Sequence, residues 1–145
     1  MASVTSKGPV ALVTGSGRDR VGSVIARGLA EDGYRIALHY HSSRDAAEET
    51  RDELRERGID CHAFKADVSD EDEVRRLASE VFDAFDRVDV LVTTSSTWIS
   101  KPLEETTAAD CRSSFDVNTL GTFLVAKEIG LRMAEQNAGG TIVTV

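Results

Sequence analysis

The sequence predicts an α/β fold in which a mostly parallel, doubly wound sheet carries helices on both faces. Three observations support this fold class. Short apolar runs alternate with longer segments in which apolar residues recur at helical spacing. Glycines stand at several junctions between the two kinds of segment, and no repeat or linker interrupts the 145 residues. Such regular alternation favours right-handed crossovers between parallel strands within a single domain, residues 1–145.

Five apolar runs have the length and composition of buried parallel strands. They are Val10–Val13, Arg35–Tyr40, Cys61–Lys65, Val88–Val92 and Thr141–Val145. No turn or helix follows the last run, which would leave that strand uncovered. We therefore expect this chain to be a fragment of a longer fold.

Four segments between these runs are predicted to be helices. They are Val21–Glu31, Asp45–Arg57, Glu71–Phe85 and Asp110–Ala134. In the third helix, Val74 and Leu77 belong to an apolar face that is expected to pack on the sheet. Gly33 and Gly58 follow the first two helices, and Ser69 is predicted to cap the third.

Composition limits the classes of partner. A formal net charge of -8 and a pI near 4.9 argue against nucleic acid or an anionic membrane surface, because phosphates would be repelled. Cys61 and Cys111 lack the spacing of a metal site and are predicted to be small buried residues. No apolar stretch is long enough for a membrane helix, and residues Met1 to Gly8 lack the apolar part of a secretory signal. We expect a cytoplasmic location and no bound metal.

The turn between the first strand and first helix, Val13–Gly22, contains several glycines. Unpaired N–H groups and the helix dipole favour an anion at this position. Glycine permits both the tight turn and the close approach of a phosphate. A Walker loop is disfavoured because no Gly-Lys-Ser/Thr follows, while an ordinary loop remains an alternative. The residues predicted to bind phosphate here are Gly15, Ser16, Arg20, Val21 and Gly22.

The segments Ala11–Gly15, Val21–Gly22 and Ile25–Ala30 resemble the short-chain dehydrogenase/reductase family, which implies a Rossmann-like fold and a nicotinamide cofactor. The usual turn of that family is TGxxxGxG. Here Arg20 replaces the middle glycine and one extra residue lies within Ser16–Asp19. Arginine at that position is also similar to pteridine-reductase-like members.

Further residues carry the same resemblance. In family members, the residue matching Asp67 accepts a hydrogen bond from the adenine amino group, and the one matching Val68 packs on the ring. Asn118 resembles the active-site Asn of the long fourth helix. Asp67 could equally begin a helix, and Asn118 could be a structural residue. The family's NNAG sequence is replaced by Thr93–Ser96, so Thr94 and Ser95 are expected beside the cofactor ribose.

The end of the second strand favours NADP(H) over NAD(H). An acidic residue there binds the adenosine ribose hydroxyls and repels a 2'-phosphate, and this chain has none. The groups offered instead are those of His41, Ser42, Ser43 and Arg44, with Arg20 and Arg18 from the first turn. Alternatively, Ser42 or Ser43 caps the next helix and His41 is a solvated surface residue.

The proton-transfer residues of the family are not found. The resemblance implies a Ser after the fifth strand and then a Tyr-x-x-x-Lys motif, in which the Lys lowers the pKa of the Tyr. The only tyrosines, Tyr34 and Tyr40, lie in or beside the second strand, and neither is followed by Lys at this spacing. We expect these residues beyond Val145. Trp98 is a candidate substrate contact, although a lone aromatic residue is more often part of the packing.

The leading hypothesis is therefore an NADP(H)-dependent oxidoreductase acting on a small carbonyl, alcohol, enone or pterin-like substrate, and a homo-oligomer at full length. A non-catalytic nucleotide-sensing or scaffolding protein on the same fold is the alternative, because Tyr-x-x-x-Lys is absent. A methyltransferase or flavodoxin-like domain is less favoured, since each requires a different first turn.

Overall fold

The computed structural model describes residues 8–17 and 20–145. Its sheet has five parallel strands in the order β3-β2-β1-β4-β5. The strands are β1 Val10–Val13, β2 Arg35–Tyr40, β3 Cys61–Lys65, β4 Val90–Thr93 and β5 Thr141–Thr144. In the central register, Leu12 pairs with Ala37 on one side and Leu91 on the other. The predicted doubly wound class is confirmed.

Helices connect successive strands. The elements are α1 Val21–Glu31, α2 Arg44–Glu56, α3 Glu71–Phe85, a 3-10 turn Leu103–Glu105, α4 Ala108–Phe115, a π-helical segment Asp116–Gly121 and α5 Thr122–Glu135. The last three are contiguous, so the single predicted helix Asp110–Ala134 is present but changes its winding in the middle. It also begins earlier than predicted, because Thr107 and Asp110 form a reciprocal capping box.

The two faces of the sheet have separate apolar cores. One core lies beneath α3 and α5 and includes Leu12, Leu77 and Ile129, all fully buried. The other lies beneath α1 and α2 and includes Val13 and Leu54. The predicted apolar face of α3 is confirmed in the first core. The sheet is thus held from both sides, which fixes the carboxyl ends of its strands.

Two local predictions are corrected. Asp70, not Ser69, caps α3, because its side chain accepts hydrogen bonds from the backbone N–H groups of Asp72 and Glu73. The fourth strand begins at Val90 rather than Val88, whose backbone N–H and carbonyl bond instead to the Gln136 side chain.

The cysteines differ in their surroundings. Cys61 is buried, and burial raises the pKa of its thiol to about 12, so this side chain behaves as the predicted small apolar residue. Cys111 is exposed, contrary to the prediction, because α4 places no residue in either core.

Within the described ranges, no helix is long and apolar enough to cross a membrane. Arg18 and residues 1–7 lie outside those ranges.

Candidate functional site

A cavity of about 950 Å³ opens at the carboxyl edge of the sheet. It lies where the chain leaves β1 toward β2 on one side and β4 on the other, the position at which doubly wound sheets bind ligands. Among its lining residues are predicted site residues from four separate segments: Gly15, Arg20, Val21, Gly22, His41, Ser42, Ser43, Asp67, Val68, Thr94, Ser95 and Trp98.

Gly15 in the turn after β1 and Gly22 at the start of α1 are both packed against neighbouring backbone. Gly15 has φ +67°, and a Cβ there would lie 2.9 Å from the Ser95 backbone. A Cβ on Gly22 would lie 2.6 Å from the Thr94 hydroxyl and 2.7 Å from the Gly15 carbonyl oxygen. Because neither residue has a Cβ, the turn can lie directly against the loop after β4. The start of α1 then lines the cavity.

Ser16 occupies a different position from the other turn residues. Its side chain is fully buried, and its hydroxyl donates to the Val13 carbonyl oxygen at 2.8 Å. The Ser16 backbone N–H donates to the His39 carbonyl oxygen at 3.0 Å. Ser16 therefore ties the turn to β2 and does not line the cavity.

The loop after β4 is bonded to the β1 turn through Thr14 and Thr94. The Thr14 hydroxyl accepts from the backbone N–H groups of Thr94 and Ser95 at 3.1 and 3.3 Å. The Thr94 hydroxyl donates to the Thr14 carbonyl oxygen at 2.6 Å. The Thr-Thr-Ser-Ser sequence that replaces NNAG thus still forms one wall of the cavity.

The end of β2 supplies the opposite wall. His41, Ser42 and Ser43 line the cavity there, and Arg20 reaches it from the start of α1. Arg44 does not, because its guanidinium donates to Glu48 at 2.8 Å on the exposed side of α2. The sequence-based inclusion of Arg44 is corrected accordingly.

Asp67 is the one carboxylate among the described lining residues. Partial burial raises the pKa of this carboxyl, but hydrogen bonds from the Ser69 hydroxyl and N–H, with the nearby His41 and His39, outweigh it and leave the pKa below its ordinary value. The second carboxylate oxygen is 3.8 Å from His41 Nε2. Asp67 is therefore ionised at neutral pH and forms the turn before α3 while facing the cavity.

Asn118 and Trp98 lie toward the other end of the cavity. The Asn118 amide pairs with the Thr97 backbone, accepting from its N–H at 2.8 Å and donating to its carbonyl at 3.1 Å. Asn118 does not line the cavity, although its neighbour Val117 does. Trp98 is 88% exposed, so its ring stands at the cavity mouth rather than in the packing.

Comparison with known proteins identifies the family. The family model described as short chain dehydrogenase matches residues 9–145. The chain belongs to the short-chain dehydrogenase family. This assignment agrees with the order of the strands and with the cavity at their carboxyl ends.

Curated relatives of this short-chain dehydrogenase chain include a hydroxynaphthalene reductase-like protein of Metarhizium anisopliae, 38% identical over 136 residues, or 94% of this chain and 49% of the relative. Versicolorin reductase of Emericella nidulans is 35% identical over 94% of this chain and 50% of its own length. The chain therefore spans about half the length of the curated relatives it matches.

Solved structures of similar fold include two with bound nucleotide. Blue fluorescent protein from a metagenomic library, in complex with NADPH, has a TM-score of 0.83 and 32% identity over 95% of this chain and 55% of that protein. A short chain dehydrogenase from Burkholderia cenocepacia, in complex with NADP, has a TM-score of 0.85 and 29% identity over the same shares.

The structure of this short-chain dehydrogenase chain adds lining residues that the sequence analysis did not select, among them Gly17, His39, Tyr40 and Ser113. A Cβ on Gly17 would lie 2.5 Å from the Tyr40 Cβ, so this glycine lets the turn pass β2. The sequence signal for His39 is a histidine directly after the apolar run Ile36–Leu38 of a predicted strand. Across the described part of the chain, no cluster of three His, Cys, Asp or Glu residues forms a candidate metal site.

Proposed function

We propose that residues 1–145 form one NADP(H)-binding domain of an oxidoreductase that transfers hydride to or from a small carbonyl or alcohol substrate, an enone or pterin-like ring included. One observation carries the choice of cofactor. Arg20, His41, Ser42 and Ser43 all line the cavity, and the residues that directly follow β2 there include no acidic side chain; the lining carboxylate, Asp67, follows β3 and lies 3.8 Å from His41. The NADPH and NADP complexes of similar fold support this choice, as do the relatives named as reductases.

The residues that line the cavity fit a dinucleotide in one orientation. We assign the pyrophosphate to Gly15, Val21 and Gly22 at the start of α1, whose first turn contains no acidic residue. Arg20 and His41, with the hydroxyls of Ser42 and Ser43, would hold the 2'-phosphate. In this orientation adenine lies at Asp67 and Val68, and the ribose next to the nicotinamide lies at Thr94 and Ser95. Ser16 would not contact the dinucleotide; it would support the turn through its hydrogen bonds to the Val13 and His39 carbonyl oxygens.

The nicotinamide would then lie toward Trp98 and Asn118, and it supplies the hydride when bound. Trp98 is placed to cover a flat substrate at the cavity mouth, while Asn118 fixes the Thr97 backbone and so shapes that end of the site. We assign proton transfer to Ser, Tyr and Lys residues in the part of the protein beyond Val145.

Fluorescence titration with NADPH and NADH tests the proposal, using the protein and two matched arginine variants. Arg20→Ala removes a cation at the cavity. We expect NADPH affinity to fall at least about tenfold while NADH affinity changes little, since a charge-assisted hydrogen bond is worth ~1.5–3 kcal/mol. Arg44→Ala removes the same charge outside the cavity and should leave both affinities unchanged.

Two results would contradict the proposal. If the unmodified protein binds neither dinucleotide, the domain is not a nicotinamide site. If it binds NADH as tightly as NADPH and the two arginine variants behave alike, the cluster at the end of β2 is not a 2'-phosphate site.

A further inference from the structure

His39 is a buried imidazole in β2, where it follows the apolar residues Ile36, Ala37 and Leu38. His39 is 1% exposed, and β2 is flanked by β1 on one side and β3 on the other. A buried polar group of this size is destabilising unless its nitrogens are hydrogen-bonded. Both ring nitrogens of His39 have partners, and those partners belong to the segments that form the cavity.

The contacts fix which nitrogen carries the proton. Nε2 lies 2.9 Å from the Ala66 carbonyl oxygen, which can only accept, so Nε2 is protonated. In a neutral ring Nδ1 is then an acceptor. The Gly15 backbone N–H donates to it at 3.2 Å, and the Ser95 hydroxyl lies 3.5 Å away. One ring thus joins the β1 turn, the segment after β3 and the loop after β4.

The charge state is compatible with this arrangement. The pKa of His39 is lowered to about 4, chiefly by burial and to a smaller extent by the neighbouring His41, while the hydrogen bond with the Ala66 carbonyl and the charge of Asp67 act in the opposite direction. The ring is therefore neutral at pH 7, and its Nδ1 lone pair is available to the Gly15 N–H.

We propose that His39 is a positioning residue for dinucleotide binding, which holds the phosphate turn in its binding conformation by accepting the Gly15 N–H at Nδ1. The inference rests on the proposed function. Without that acceptor, the Gly15 N–H loses its partner beneath the cavity and the turn relaxes. Ordering the turn again then opposes binding, so the dissociation constant rises.

Two amide substitutions separate the two ring nitrogens. In His39→Asn, the side-chain oxygen can occupy the position of Nδ1 and accept the Gly15 N–H, but the contact with Ala66 is lost. In His39→Gln, the amide nitrogen can reach the Ala66 carbonyl in place of Nε2, but no acceptor remains near Gly15. The two variants therefore remove complementary halves of the bridge.

The readouts are NADPH affinity by fluorescence titration, thermal unfolding, and hydrogen exchange at the Gly15 amide by NMR. We expect His39→Asn to bind NADPH within about threefold of the unmodified protein and His39→Gln about tenfold more weakly, the factor that corresponds to one net hydrogen bond. The Gly15 amide should stay protected in His39→Asn and exchange rapidly in His39→Gln.

Affinity that follows thermal stability in both variants, or that is equally weak in both, would overturn the inference by reducing His39 to a structural residue. If neither variant folds, the tautomer of His39 in the unmodified protein is measured by NMR instead. An Nε2–H tautomer supports the inference, and an Nδ1–H tautomer overturns it. If the unmodified protein binds no dinucleotide, the proposed function fails, and Gly15 exchange still shows separately whether His39 holds the turn.

Discussion

A buried imidazole makes folding stability depend on pH. The ordinary pKa of histidine is 6.5, and burial lowers that of His39 to about 4 in the folded protein. The unfolded chain therefore binds a proton at a pH where the folded chain does not. The contribution of His39 to the free energy of unfolding is therefore fully present above about pH 6.5. It decreases as the pH falls from 6.5 to about 4, and it does not change further below that value.

We expect the loss between these limits to be on the order of 3 kcal/mol, because each unit of pKa difference corresponds to ~1.4 kcal/mol. Urea unfolding at a series of pH values measures it. Carboxylates also titrate in this range, so His39→Asn is the reference from which their contribution is subtracted. Its unfolding free energy should vary less with pH than that of the unmodified protein. Parallel pH profiles would show that His39 is already accessible to protons in the folded state.

At the scale of elements, helix α1 contains two glycines in opposite surroundings, one closely packed and one exposed. Gly22 is buried, with the Thr94 hydroxyl and the Gly15 carbonyl oxygen within 2.7 Å of the position of a Cβ. Gly28 is an exposed residue of the same helix, and no atom lies within 4 Å of the position of its Cβ. The first glycine is needed for close packing, whereas the second only weakens the helix.

We therefore expect Gly28→Ala to stabilise the protein by about 0.5–1 kcal/mol, the usual difference between the two residues within a helix. Gly22→Ala should destabilise it by about 1–3 kcal/mol, because backbone atoms must shift to admit the methyl group, and should abolish NADPH binding. Urea unfolding midpoints and dinucleotide titration measure both effects. Equal changes in the two variants would contradict the packing described for the start of α1.

The strands and first three helices could be predicted because their apolar patterns match the layers that bury them. The fourth helix shows where such patterns fail. Residues Asp116–Gly121 adopt π-helical winding, which places Gly121 against Val68 so closely that a Cβ would lie 2.7 Å from it. That contact joins residues far apart in the sequence, so local periodicity contains no sign of it.

The candidate site could be predicted only where its residues have a local sequence signature. Gly15, Gly22, Asp67 and the end of β2 have local signatures, and the fold brings them to one cavity. The role of His39 depends on Ala66 and Gly15, which reach it only when three strands are assembled. Arg44 was selected from its position in sequence, but its helix turns it toward Glu48.

At the scale of the whole molecule, the contiguous helix from α4 to α5 has two different sides. Leu124 and Ile129 are buried in the core beneath α3 and α5. Phe115 and Phe123 are 66% and 60% exposed, and Leu120 and Leu131 are exposed as well. Several large apolar side chains on one exposed helix are characteristic of a surface that is covered in an assembly.

We expect this helix to mediate self-association, in agreement with the homo-oligomer proposed from the sequence. Sedimentation velocity over a range of protein concentrations measures the assembly. Phe123→Glu should shift the protein toward the monomer, because a buried unpaired carboxylate opposes association by several kcal/mol. Val24→Glu, at a position 63% exposed on α1, introduces the same charge elsewhere and should leave the distribution unchanged. A monomer at every concentration, or an equal shift in both variants, would show that the exposed side of this helix does not bind a second copy.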